Sequence, residues 1–476
     1  VIINRLSREI YLVFFCRKKE RKEEKMQNKH CDRNFYRTVL MIAIPIVIQN
    51  LISIGLNMAD TIMIGKLGVD ELAAVGTANR LYFIFSTLCF GIYSGAAVYV
   101  SQYWGVRDIK NIRRTFGIDI LLGTGMSLFF TALALFFAPQ ILSLFTRDAR
   151  VIELGGQYLK IVAISYFFTS MSFAINFNSR AIHQLKVPTI INMLALFINL
   201  GLNYVLIFGK FGMPKLGVRG AALATLIARV IEFALMVTFV YSNSEHPLAG
   251  KPKELFSFDK EMFRRVLKTS LPVIISEGGW SIGNSVYYIA YGMLGASALA
   301  VVQVASTIND LFQSVFFGIG NASAVMIGNE LGRREEEKAY SYAVVFLKMT
   351  FIVNLVMSVS LFLSEGAVIS LYDFDAATNS MLANTITVYA IYMLPKMFTY
   401  VLFCGILRSG GDTRFCMMLD LMGVWIIGVP LAFLGVLVLK LPLHLVVAMV
   451  FFEEWVKLVF ASLRFKSKKW AHTLID

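Results

Sequence analysis

Polar residues are sparse along most of this chain and fall in clusters, which separate long, continuous apolar runs. A hydrocarbon core about 30 Å thick needs roughly 20 apolar residues per crossing helix. Measured with that ruler, the pattern predicts twelve spans at about 39–64, 72–104, 115–138, 152–178, 188–208, 220–242, 266–292, 298–331, 339–363, 380–406, 415–436 and 441–463. A transmembrane barrel would alternate apolar and polar residues in segments of about ten, and these runs do not. The pattern therefore predicts an all-α membrane protein. The first 25 residues break it: Ile10–Phe15 is too short for a span or a signal segment, and Arg17–Lys25 is almost wholly charged. Because Met26 follows that run directly, residues 1–25 are expected to be leader, within a basic tail of residues 1–35.

Composition agrees with the pattern. The chain is 57% hydrophobic and 16% charged, against about 45–50% and 25% in soluble domains. A net charge of +14 in so apolar a chain reads as loop charge facing a membrane surface, with no nucleic-acid partner. Alternate loops bear this out: one set, with the termini, carries 23 Lys or Arg, and the other carries seven, Lys66, Arg147, Arg150, Lys210, Lys215, Arg219 and Lys440. The positive-inside rule then places both termini in the cytoplasm; the expected location is a bacterial inner membrane. Five Cys with no CxxC pair suggest neither a disulfide scaffold nor a zinc site.

Sliding the chain against itself by 227 residues aligns 37–107 with 264–334 without a gap. Arg37 meets Arg264, Pro45 meets Pro272, Asn57 meets Asn284, and Phe90-Gly91-Ile92 meets Phe317-Gly318-Ile319. An offset of six helices keeps matched helices in the same orientation, so the halves are parallel repeats about an axis along the membrane normal. The expected division is a six-helix lobe over 36–242, a linker over 243–262, a second lobe over 263–464 and a cytoplasmic tail over 465–476. Such duplication suits a central cavity that opens alternately to either side.

Several stretches together resemble the multidrug and toxic compound extrusion (MATE) transporters. They are Pro45 to Gly68, within which lies Asn57-Met-Ala-Asp60, followed by Leu72-Ala-Ala-Val-Gly76; then Asn199-Leu-Gly-Leu-Asn203, Gly217 to Thr225, and Leu407-Arg408-Ser-Gly-Gly411-Asp412-Thr413. The resemblance runs in order from about residue 36 to 463. It implies two six-helix bundles in a V and secondary active export of organic, often cationic or amphiphilic, compounds in exchange for H+ or Na+. It also implies no cofactor beyond that ion, small-molecule substrates, and a monomer in the lipid bilayer.

A carboxylate at mid-bilayer costs about 2.5–3.5 kcal/mol on insertion scales, so buried acids are the first candidates for function. By the resemblance, Asp60 matches the first-helix acid that binds the coupling ion, and Asn199 and Asn203 match its polar partners; Thr225 is a fourth candidate. Some members carry a second acid at the position of Asn203, which this chain lacks. In the second lobe the candidates are Glu277, which resembles in type a seventh-helix Glu of some branches, and Asp310. The repeat pairs Asp60 with Tyr287, so the lobes are not chemically equivalent. Pro45 and Pro272 each remove a helix hydrogen bond and are expected hinges. Ion occupancy at Asp60 would then alter the bend of the first helix. Gln49, Asn57, Asn284, Gln303 and Tyr287 are expected to line the cavity, among Phe and Met side chains that can repack around varied ligands.

Other ionisable groups read as structural. Asp119, Glu232, Asp420, Glu453 and Glu454 lie near span ends or near Arg229 and Lys457, and Arg180 and Arg408 read as cytoplasmic helix-end anchors. An intramembrane enzyme is disfavoured, since no HExxH and no nucleotide-binding GxxxxGK[ST] occurs. A flippase for lipid-linked oligosaccharides is the alternative within transport. It would call for several Arg or Lys within the spans.

Overall fold

The computed structural model describes residues 33–370 and 374–475, so the leader expected over 1–25 and nearly all of the basic tail lie outside the described residues. Among the described residues there is no β-strand. The N-terminal half contains α1 (Arg33–Gly65), α2 (Val69–Gly105), α3 (Ile109–Phe136), α4 (Ala149–Val162), α5 (Ser165–Ala181), α6 (Lys186–Phe208) and α7 (Val218–Tyr241). The C-terminal half contains α8 (Lys260–Gly292), α9 (Ala296–Gly332), α10 (Glu336–Leu363), α11 (Ala376–Tyr400), α12 (Thr413–Leu421) and α13 (Leu443–Lys466). Helix α11 continues as a π-helical turn over Val401–Leu407, and α12 continues helically to Val438.

Among the described residues, nine helices are long and apolar enough to cross a membrane, and α4 with α5 makes a tenth, bent by 51°. The other two, α8 and α13, are 33 and 24 residues long. Their apolarity is diluted by Glu277, Glu453, Glu454 and Lys457, the side chains from which the second lobe builds its polar core. Starts are set locally: Asp108, Asp148, Asp259 and Asp375 cap α3, α4, α8 and α11 by accepting first-turn N–H groups.

The two hydrophobic cores do not part at the linker. Phe35, Val39, Ile42 and Ile46 of α1 belong to the core of the C-terminal lobe. Reciprocally, Met262 and Val266 of α8 belong to that of the N-terminal lobe, and Ile274 packs against it. The exchange follows the sequence repeat. A Cβ at Gly91 would meet the Ile274 backbone at 2.7 Å, and one at Gly318, 227 positions on, would meet Val47 and Ala43 at 2.8 Å. Likewise Gly105 lies against Asn329 O, and Gly332 lies against Gln102 O. Ser101 and Gly328, a repeat pair, touch each other, which puts the pseudo-two-fold axis between them. Residues without side chains let these backbones approach closely, as small residues do in membrane helix interfaces.

All these approaches lie in the helix halves nearest the start of α1 and the end of α13, so the lobes are sealed together at that end. The segment after α13, expected to be a cytoplasmic tail, adds to the seal. Trp470 is fully buried, Gln102 donates to Ser409 O at 3.0 Å and to His472 O at 3.3 Å, and Leu474 N donates to Gln102 Oε1 at 2.7 Å. Thr473 donates to Leu331 O at 2.7 Å, while Ile475 sits in the N-terminal core.

The linker is packed along α3, with Arg113 paired to Glu254 at 2.8 Å and Tyr241 donating to Gly250 O at 3.0 Å. Its buried His246 accepts the Leu248 N–H at Nδ1, 3.2 Å, and meets the Phe239 ring edge-on. Burial pushes the imidazole down to about 4. Below about pH 6.5 the unpacked chain binds a proton that the packed linker excludes, so stability is full above that pH and falls as pH drops towards about 4. His246→Gln keeps an acceptor but does not titrate. Thermal melting of the solubilised protein should therefore depend less on pH over this window in the variant, and equal slopes would remove His246 from the account.

Candidate functional site

In the N-terminal lobe the structure brings Asp60, Asn199, Asn203 and Thr225 together. Asp60 lies five residues before the end of α1, and α6 presents Asn199 and Asn203 from adjacent turns of one face. Asn203 Nδ2 donates to Asp60 Oδ1 at 2.8 Å. With its amide turned to satisfy both ends, Asn199 donates to Asp60 Oδ2 at 3.1 Å and accepts the Thr225 N–H at 3.2 Å. The Oδ1 of Asn203 is buried without a partner. An acceptor oxygen thus stands unused beside a carboxylate, an arrangement suited to a hard cation or to a proton shared with the carboxylate. Arg229 acts electrostatically on Asp60 from α7 and is itself paired with Glu232 at 2.6 Å.

The C-terminal lobe holds a larger charged cluster. Glu277 on α8 pairs with Arg408 at 2.9 Å, and its neighbour Ser276 donates to Asp420 on α12 at 2.7 Å. Lys457 on α13, only 2% exposed, lies 3.1 Å from Asp420 and 3.5 Å from both Glu453 and Glu454. Tyr287 donates to Glu453 at 3.0 Å. Four carboxylates face two cations, so by charge count the cluster could take two further unit positive charges.

These contacts correct several expectations. Arg408 is not an exposed helix-end anchor: its side chain is 5% exposed and forms the buried pair with Glu277. Asp420, Glu453 and Glu454 do pair, as expected, but inside the lobe rather than at span ends. Tyr287 does not line a cavity, because its hydroxyl is held in the C-terminal core by Glu453 and Val424 O. Asp310 is exposed on α9, with Lys396 acting on it electrostatically. Gln49 and Asn284 are half-buried, and Asn57 and Gln303 exposed, on α1, α8 and α9. None of the four lines the inter-lobe cavity. Pro45 and Pro272 lie inside continuous helices.

That cavity lies between α2, α5, α9 and the π-helical turn after α11 and is open to solvent on one side. Phe90, Phe177 and Tyr400 contribute its aromatic surfaces, and Arg180 and Arg408 its charges.

Two parallel six-helix repeats, sealed at one end around an inter-lobe cavity with acids buried in each lobe, define a membrane transporter rather than an enzyme. The family model MatE matches residues 45–205 and 272–434, and the chain belongs to that family. It is 24% identical over 446 residues to the "Uncharacterized transporter YisQ" of Bacillus subtilis, covering 93% of this chain and 96% of that one. It is 28% identical over 408 residues to the "Probable multidrug resistance protein NorM" of Rhodopseudomonas palustris, covering 82% and 83%. Among solved structures, the "Outward-facing conformation of a multidrug resistance MATE family transporter of the MOP superfamily" superposes with a TM-score of 0.82 at 19% identity, over 91% of this chain and 96% of that one. A MOP superfamily transporter from Pyrococcus furiosus, described by "Reverse polarity of binding pocket suggests different function", gives 0.82 at 19% identity, over 90% and 95%. At that identity the likeness concerns the fold.

Proposed function

We propose that this protein is a secondary active antiporter, which exports organic compounds in exchange for H+ or Na+ by alternating access. The observation that carries the reading is the Asp60 site: a carboxylate held by two amides beside the unpartnered oxygen of Asn203. Such a group costs free energy in a membrane protein unless something binds there. With the termini in the cytoplasm, the sealed end is the cytoplasmic one, and the conformation described is outward-facing. Filling the Asp60 site changes the charge on α1, whose first half is locked into the opposite lobe around Pro45. Ion binding in one lobe thereby acts on the seal between both. The Glu277–Arg408 pair and the Lys457 cluster are the second place at which a coupling cation could act.

The test is efflux of a fluorescent organic solute from energised vesicles, with a pH gradient and a sodium gradient imposed separately. Either gradient should drive efflux above the leak of vesicles lacking the protein. Failure of both would overturn antiport.

A further inference from the structure

The cavity between the lobes is built on the pseudo-two-fold axis, and its lining comes in repeat pairs: Ser94 with Asn321, Val98 with Val325, and, one position out of step, Arg180 with Arg408. Its charge does not share that symmetry. Arg408 is met by Glu277 at 2.9 Å. At the repeat offset Glu277 corresponds to Asn50, an amide, and among the described residues no carboxylate pairs with Arg180. The Arg180 guanidinium donates from Nε to Asn176 Oδ1 at 3.2 Å and lies 5.1 Å from the Phe177 ring centre. Arg408 Nε is buried without a partner. Two guanidinium groups therefore border one cavity, and one of them, Arg408, has a carboxylate partner. Arg180 is half-buried; without a carboxylate partner it has donors to spare, and the planar fork of a guanidinium matches carboxylate and phosphate oxygens.

We infer that this cavity binds the anionic group of an amphiphilic solute, a carboxylate, sulfonate or phosphate, with Arg180 as the direct ligand. Arg408, Asn321 and Ser94 surround the same space, and Phe90 and Tyr400 receive the apolar body. The inference rests on the export function proposed above and narrows its substrate class: the cationic cargo expected from sequence gives way to an anionic one. The same chemistry could be supplied by a soluble organic anion or by the phosphate of a lipid headgroup.

Binding to the purified protein in phosphatidylcholine nanodiscs tests this by fluorescence anisotropy, with fluorescein as the anion and rhodamine 6G as the cation. The wild type should prefer fluorescein. Arg180→Gln should weaken fluorescein binding about 10–100-fold, the loss expected for a charged hydrogen-bond partner, and leave rhodamine 6G unchanged. Asn50→Glu, which puts a carboxylate at the repeat equivalent of Glu277 and keeps Arg180, should weaken fluorescein binding likewise, so the test survives if Arg180→Gln does not fold. In phosphatidylglycerol nanodiscs, a lower apparent affinity for fluorescein identifies a lipid headgroup as the competing occupant, and an unchanged one identifies a soluble anion. Equal binding of both dyes by the wild type, or fluorescein binding unaltered in both variants, overturns the inference. Because binding needs no gradient, failed efflux with intact fluorescein preference would remove antiport alone, and gradient-driven efflux without that preference would remove the anion site alone.

Discussion

Asp60→Asn should reduce gradient-driven efflux to the leak rate of empty vesicles while the protein remains folded. The substitution is nearly isosteric. The new amide can accept from Asn203 Nδ2, now 2.8 Å from Oδ1, and its NH2, replacing the Oδ2 that accepts from Asn199, can donate to the Asn199 oxygen once that amide turns over. Hydrogen bonding is thus exchanged rather than lost, and a stability change within about 1 kcal/mol is expected. What disappears is the negative charge to which a proton or sodium ion would respond. Efflux in imposed gradients measures the first effect and thermal melting the second. Cysteine accessibility at low and high pH adds a conformational readout: the wild-type ratio of inward to outward exposure should shift with pH, and that of the variant should not. If Asp60→Asn transports like the wild type, coupling belongs to the second lobe.

A second large effect is expected at Lys457. Its ammonium, 2% exposed, is the counter-ion to Asp420, Glu453 and Glu454 within 3.5 Å. Lys457→Met preserves most of the side-chain volume and removes the only positive charge among those three groups. Breaking a buried ion pair from one side costs about 3–5 kcal/mol, because the remaining charges are left uncompensated. Denaturant or thermal unfolding in detergent should show a loss of that order. Adding Glu454→Gln should recover part of it, since groups in one network couple and their effects do not add. A loss below about 1 kcal/mol, with no recovery in the double variant, would mean that water already compensates these carboxylates.

The twelve spans were legible in the sequence because lipid demands apolar runs of a fixed length, and even the polar-rich α8 and α13 keep enough of the pattern. The bend between α4 and α5 had no such marker. Asp60, Asn199 and Asn203 were legible as a group through the resemblance and through the four-residue spacing that puts both amides on one helix face. The charge pairing of the second lobe was not: Glu277 and Arg408 are 131 positions apart, and nothing local in either segment points to the other. Glu453, Glu454 and Lys457 did carry a local signal, the spacing of three and four that puts unlike charges side by side on a helix, but sequence alone does not tell a lipid-end pair from one inside a lobe. Tyr287 was misplaced for a related reason. The repeat fixed its register, and its role followed from Glu453 on a helix that the aligned segments do not include.

The last described residues have a kinetic consequence. Gln102 of α2 is bound at once to the carbonyls of Ser409 and His472 and to the amide of Leu474, and Thr473 is bound to Leu331 of α9. Parting α2 from α9 at this end cannot be a rigid-body movement alone, because the stretch from Trp470 to Ile475 has to be stripped from one lobe first. That step resembles local unfolding, with its own activation enthalpy. In the alternating-access cycle proposed above, opening towards the chain termini should therefore be a steeply temperature-dependent step.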